Sequence, residues 1–180
     1  MIAPPASPAP WKKLQQDPIK VGFRKLLKTT FQLPNGRIAD FVLKDEGRTV
    51  CVVALTTDHH VVLARQYRPG PGEVLLELPG GAVEEGESPQ EAIRRELLEE
   101  TGYSGDLQCA GTSYHCAYSN RLTYNFVATD CRQIQAPQNE ANELIEVVET
   151  PLQDFRKHVR TGEFTDVEGA YMGLDFLRLL

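Results

Sequence analysis

Apolar and polar positions alternate in short runs over much of the chain and switch to a helical period in a few places. Phe23–Gln32 and Arg37–Lys44 predict two strands around Pro34-Asn35-Gly36, a turn sequence suited to a tight hairpin. Strand-like runs follow at Thr49–Thr56 and Val61–Tyr67, parted by the polar turn Asp58-His59-His60, and a shorter run covers Val74–Leu78. Residues 88–102 carry a helical pattern. Beyond them Gly105–Gly111, Leu122–Cys131 and Leu144–Val148 predict further strands, with Thr112–Arg121 as a loop or strand edge. Pro151–Thr161 predicts a helix that opens at Pro151 and closes near Gly162. Val167–Leu180 predicts a terminal helix, with Ala170, Met172, Leu174, Phe176, Leu177 and Leu180 supplying much of its apolar surface. Residues 1–18, rich in Pro and Ala, predict a flexible segment. Strands followed by helices fit an α+β or three-layer arrangement around a mixed sheet, and the pattern alone does not choose between them.

Composition narrows the class. A chain of 180 residues is long enough for one domain with a substantial core. The predicted organisation is the flexible 1–18, a β-hairpin region at 19–47 and the main domain at 48–180. Hydrophobic residues at 41% and charged residues at 24% are those of a soluble globular protein. A net charge of −6, with no basic tract, argues against a nucleic-acid partner. Cys51, Cys109, Cys116 and Cys131 show no C-x-x-C pairing, so reduced thiols are expected and a zinc site is not. Met1–Trp11 is broken by Pro and lacks the apolar core of a signal peptide, and no run reaches transmembrane length. A cytoplasmic protein without a membrane partner is expected.

The chemistry concentrates at residues 81–103. Ser88 is placed as N-cap, Pro89 as first helical residue, Glu91 as the reciprocal capping residue and Gly102 as the stop. Glu96, Glu99 and Glu100 are spaced i, i+3, i+4, which puts three carboxylates on one face of the last two turns. The helix dipole disfavours negative charge there. Like charges at that spacing repel by about 0.2–0.5 kcal/mol per pair. A bound hard cation, Mg²⁺ or Mn²⁺, is the simplest remedy for such a cluster.

The residues Gly81, Glu87, Arg95, Glu96, Leu97, Glu99, Glu100, Gly102 and Tyr103 fill a pattern that resembles the Nudix box. Upstream, Arg65-Gln66-Tyr67-Arg68-Pro69 and Glu77-Leu78-Pro79-Gly80-Gly81 resemble the ADP-ribose pyrophosphatase and nucleotide-sugar hydrolase branch. The resemblance implies an α/β/α sandwich with mixed sheet, preceded by the antiparallel hairpin. It implies Mg²⁺-dependent hydrolysis of ADP-ribose or a related nucleoside diphosphate sugar to a nucleoside monophosphate and a sugar phosphate. Dinucleoside polyphosphates are alternative substrates. A non-catalytic sensor of ADP-ribose or a dinucleotide is the alternative from another class, but it would be expected to lose box carboxylates that are all present here. The branch also implies a homodimer formed through the N-terminal region.

The same resemblance distributes roles. Glu96, Glu99, Glu100 and the Gly80 carbonyl are the expected metal ligands. Arg95 and Glu87 organise the loop against the helix by an ion pair, Arg95 also counting among the catalytic residues, and Gly81 allows a tight turn. The general base is expected at Glu143, just before the Leu144 run, with Glu140 and Glu99 as the other candidates. Arg68 is expected on the diphosphate, Glu77 on the ribose or base and Arg37 on a phosphate. Tyr67, Phe31 and Trp11 are candidates for stacking on the base. Related ADP-ribose hydrolases have a proline in a pocket loop, where this chain has Ala117-Tyr118-Ser119-Asn120-Arg121 with Tyr118 at about the place of that proline. Tyr118 is therefore a stacking candidate, and Asn120 and Arg121 are candidates for the terminal group.

Overall fold

Strands β1 (Lys12–Val21), β2 (Arg24–Gln32) and β3 (Ile38–Lys44) form an antiparallel sheet in the order β1-β2-β3. A computed structural model describes residues 9–138 and 144–180. The expected hairpin is β2–β3, turned at Gly36, whose φ of 82° suits glycine and whose N–H donates to the Leu33 carbonyl at 2.9 Å. Of the segment 1–18 expected to be flexible, Lys12–Pro18 lie in the ladder from Lys12↔Gln32 to Val21↔Arg24, and residues 1–8 lie outside the described residues. All ten residues of β1 are exposed, so it carries no buried apolar stripe from which a strand could be read.

Tyr114–Arg121 belongs to the same unit as the described residues up to Gly47. Its backbone runs beside the end of β3: Lys44 donates to the Tyr118 carbonyl at 2.8 Å, and Asn120 donates to the Lys44 carbonyl at 3.1 Å. The Asn120 side chain closes the junction. Its Oδ1 accepts from the N–H groups of Glu46 and Gly47, and its Nδ2 donates to Asp45.

The second unit comprises 48–113 and 122–180. Its elements are β4 (Arg48–Thr56), β5 (His60–Arg68), β6 (Glu73–Glu77), β7 (Gly80–Ala82), α1 (Pro89–Thr101), β8 (Tyr103–Tyr114), β9 (Leu122–Gln133), β10 (Glu146–Pro151), α2 (Leu152–Val159) and α3 (Val167–Phe176). The sheet is mixed and runs β10-β5-β4-β9-β8, with β4 and β9 parallel and β4–β5 and β5–β10 antiparallel. Strand β4 is buried on both faces, and its period of two sorts the core. Val50, Val52 and Ala54 pack with Ala92, Ile93 and Leu97 of α1. Cys51, Val53 and Leu55 pack with Phe155 and Val159 of α2 and Ala170 and Leu174 of α3. The unit is thus the α/β/α sandwich that the resemblance implies. The last helix stops at Phe176, short of the expected Leu180, and β10 starts at Glu146 rather than at Leu144, which is 88% exposed. Among the described residues no helix is long and apolar enough to cross a membrane. The four cysteines are thiols, and burial pushes Cys131 up to about 12.

A fork in this sheet builds the site. β4 and β5 pair only at Ala54↔Val62 and Leu55↔Val61. Below that point β4 pairs with β7 through Thr49↔Ala82 to Cys51↔Gly80, while β5 pairs with β6 through Ala64↔Glu77 to Arg68↔Glu73. The Val52 N–H donates to the Pro79 carbonyl at 3.0 Å where the chain steps from one arm to the other. Glu77 and Gly80 sit on this step.

Candidate active site

Helix α1 is fixed at both ends by local chemistry. The Ser88 hydroxyl accepts from the Glu91 N–H, and the Glu91 carboxylate accepts from the Ser88 N–H at 2.8 Å, the reciprocal box expected from the sequence. The Ser88 hydroxyl and N–H together hold Glu91 below the usual carboxylate range. At the other end Gly102 is left-handed, with φ 75°, and its N–H donates to the Leu98 carbonyl. No basic residue stands in the last turn.

Arg95 ties Glu87, just ahead of the helix, to Glu96 and Glu99 within it. Its Nε and one terminal nitrogen donate to the two oxygens of Glu87 at 3.0 and 3.2 Å, the bidentate match of fork to carboxylate. The other terminal nitrogen bridges Glu96 and Glu99 at 2.9 and 3.1 Å, and a further bond at 3.1 Å reaches the Ala82 carbonyl of β7. Glu87 holds Arg95 well above the usual guanidinium range, and Arg95 in turn holds Glu87 below the usual carboxylate range. Glu100 is 8% exposed and accepts from the Gly80 N–H at 2.9 Å. Gly80 is required by close approach to backbone, whereas Gly81 lies against a side chain. A Cβ on Gly80 would run into the Val50 carbonyl and Cys51 Cα, and one on Gly81 into the Glu96 carboxylate.

Three carboxylates (Glu87, Glu96, Glu99) thus share a single guanidinium, an excess of two negative charges when all are ionised, and Glu100 adds a fourth carboxylate held by the Gly80 N–H. Among the described residues no three His, Cys, Asp or Glu side chains converge in a metal-holding arrangement. Arg95 occupies one oxygen each of Glu96 and Glu99, and Glu100 is turned onto Gly80. The donor set is all oxygen, negatively charged and partly withdrawn from water, which fits a hard divalent cation.

A second polar group sits on the step of the fork. Glu77 is fully buried; Arg68 Nε donates to one of its oxygens and the Thr165 hydroxyl to the other. Glu77, expected on the ribose or base, here has partners inside the protein for both of its oxygens. Thr165, in the α2–α3 connection, has no local sequence signal that would have marked it.

The remaining candidates are placed as follows. In the first unit Tyr118 is stacked on Phe41 at 6.3 Å, and Phe41 adjoins Phe31 and Trp11 at 5.9 and 5.1 Å. Arg121 lies 3.2 Å from the His115 ring nitrogen. Asn120, expected on the terminal group, spends its side chain on the backbone of Glu46 and Gly47 and on Asp45. Arg37 lies in the turn before β3 rather than in the strand. In the second unit Tyr67 is 60% exposed. Glu140 and Glu143 lie outside the described residues.

Comparison with known proteins agrees with this geometry. The NUDIX domain family matches residues 45–167. The ADP-ribose pyrophosphatase of Bacillus subtilis (strain 168) is 28% identical over 151 residues, covering 82% of this chain and 81% of that protein. The ADP-sugar pyrophosphatase of Mus musculus is 30% identical over 149 residues, covering 73% and 68%. A crystal structure of an ADP compounds hydrolase shares the fold, with a TM-score of 0.79 at 22% identity over 96% of this chain and 94% of that one. The chain belongs to the NUDIX family, in its ADP-ribose pyrophosphatase branch, and is a pyrophosphohydrolase of that family.

Proposed function

We propose that this enzyme hydrolyses the diphosphate of ADP-ribose or a related nucleoside diphosphate sugar, releasing a nucleoside monophosphate and a sugar phosphate, with Mg²⁺ or Mn²⁺ as cofactor. The observation that carries the reading is the set of three carboxylates, Glu87, Glu96 and Glu99, gathered on the Arg95 guanidinium, with Glu100 of the same helix on the Gly80 N–H. The names of the two relatives support the substrate class. Glu96, Glu99, Glu100 and the Gly80 carbonyl would hold the cation. When bound, it would supply charge neutralisation at the diphosphate and activation of a water. Arg95 keeps Glu96 and Glu99 side by side, and Glu87 keeps Arg95 in place. Arg68 offers its guanidinium to the diphosphate. Glu143 takes the proton from the attacking water, with Glu140 and Glu99 as the other bearers of that role. Arg37, Tyr118 and Arg121 are further substrate contacts on the resemblance alone. The protein works in the cytoplasm as a homodimer formed through its N-terminal region.

With ADP-ribose and Mg²⁺, mass spectrometry should find AMP and ribose 5-phosphate, and a chelator should abolish both. Undiminished turnover in chelator sinks the metal chemistry. A panel with GDP-mannose, UDP-glucose, ADP-glucose and diadenosine polyphosphates fixes the leaving group, and a clear preference for the last moves the substrate class. Glu143→Gln is expected to lose about 100-fold or more in kcat with an unchanged melting temperature, from the lower end of the range for a general base upward. Retained activity would pass the role to Glu140 or Glu99.

A further inference from the structure

Glu77 has no exposed surface, yet it is a carboxylate. A carboxylate so placed needs partners for both oxygens, because an unpaired buried charge costs several kcal/mol. It has two. Arg68 Nε stands 2.5 Å from Oε2, and the Thr165 hydroxyl stands 2.5 Å from Oε1. Thr165 Oγ1 is also 3.2 Å from Asp166 Oδ2. A hydroxyl has one proton to donate, and the shorter contact to Glu77 is the one that takes it.

Arg68 is held from within by a single donor. Its side chain is 42% exposed, and no hydrogen bond between described residues engages its two terminal amino groups. Four N–H donors of a planar fork are therefore left toward solvent, with the plane fixed by Nε. The carboxylate that fixes it is anchored at two points. β6 holds its backbone in register with Ala64, and Thr165 holds its far oxygen from the α2–α3 connection.

We infer that Glu77 and Thr165 are positioning residues that pre-aim Arg68 at the diphosphate. The inference rests on the proposed role of Arg68. Thr165 satisfies the oxygen that Arg68 leaves, so that Glu77 keeps its second oxygen on Nε and does not draw the guanidinium inward. Pre-aiming matters because a long Arg side chain otherwise loses rotamer freedom when it binds.

The test compares KM, kcat and melting temperature on ADP-ribose with Mg²⁺ for the wild type, Arg68→Ala, Thr165→Val, Thr165→Ser and the Arg68→Ala/Thr165→Val double variant. Valine keeps the shape of threonine and places a methyl where the hydroxyl stood. Thr165→Val should raise KM roughly tenfold, the scale of one lost hydrogen bond to a charged group, with kcat within about twofold. Thr165→Ser should restore KM, which a loss of packing alone would not allow. In the Arg68→Ala background Thr165→Val should add nothing to KM. The inference is overturned if Arg68→Ala raises KM while Thr165→Val leaves it unchanged, or if the two effects add. If Arg68→Ala itself leaves KM unchanged, or the wild type does not turn over ADP-ribose, the reading of the site fails and the inference falls with it.

Discussion

Glu100→Gln lowers kcat by at least about 100-fold, the scale of losing one strong electrostatic contribution to a transition state. The variant separates charge from architecture. Glu100 is buried at the end of α1 and accepts from the Gly80 N–H through one oxygen. A glutamine carbonyl accepts the same bond, so β7 stays against the helix and the loop that carries the Gly80 carbonyl keeps its place. What is lost is one negative charge among the groups proposed to hold the cation. The measurement is kcat on ADP-ribose at saturating Mg²⁺, with circular dichroism melts of both proteins. A near-wild-type rate in a folded variant moves the cation site away from α1.

Gly80→Ala destabilises the fold by about 3 kcal/mol, at the upper end of the range for forcing atoms into a packed interior. The new methyl would meet the Val50 carbonyl and the Cys51 Cα, both backbone of β4, so no side-chain rotation makes room. Relief requires β7 to leave β4, breaking the pairing from Thr49↔Ala82 to Cys51↔Gly80. For a chain of this length about 3 kcal/mol corresponds to a fall in melting temperature of roughly 6–12 °C. Gly81→Ala is the informative contrast. There the methyl meets the Glu96 carboxylate, the far end of a flexible side chain. That protein should fold with a smaller loss and fail in cation binding instead. Equal melting temperatures for Gly80→Ala and wild type would show that β7 is not wedged against β4.

Local chemistry was legible in the sequence, and distant partnership was not. The Ser88 cap, the Gly102 stop and the Pro34-Asn35-Gly36 turn each depend on residues within a few positions of one another, and all three are where the pattern puts them. The Arg95–Glu87 pair follows from the motif and is present. β1 escaped notice because a strand with every side chain in water leaves no periodic trace. Glu77 escaped because a glutamate reads as a surface or ligand-facing group, and its burial depends on Thr165, 88 positions away. The backbone bonds of Asn120 are illegible for the same reason: its partners Glu46 and Gly47 lie 74 and 73 positions upstream.

The company Asn120 keeps has a consequence for how the protein comes to be. The chain passes between its two units at 47/48, 113/114 and 121/122. The N-terminal sheet has its three strands early, but the segment that ties off β3 arrives only once residue 121 has left the ribosome. Until then the N–H groups of Glu46 and Gly47 and the edge of β3 at Lys44 lack their native partners. Closure of a loop this long is slow relative to hairpin formation. The first unit to be synthesised is therefore the one that waits, and it is finished from the middle of the other.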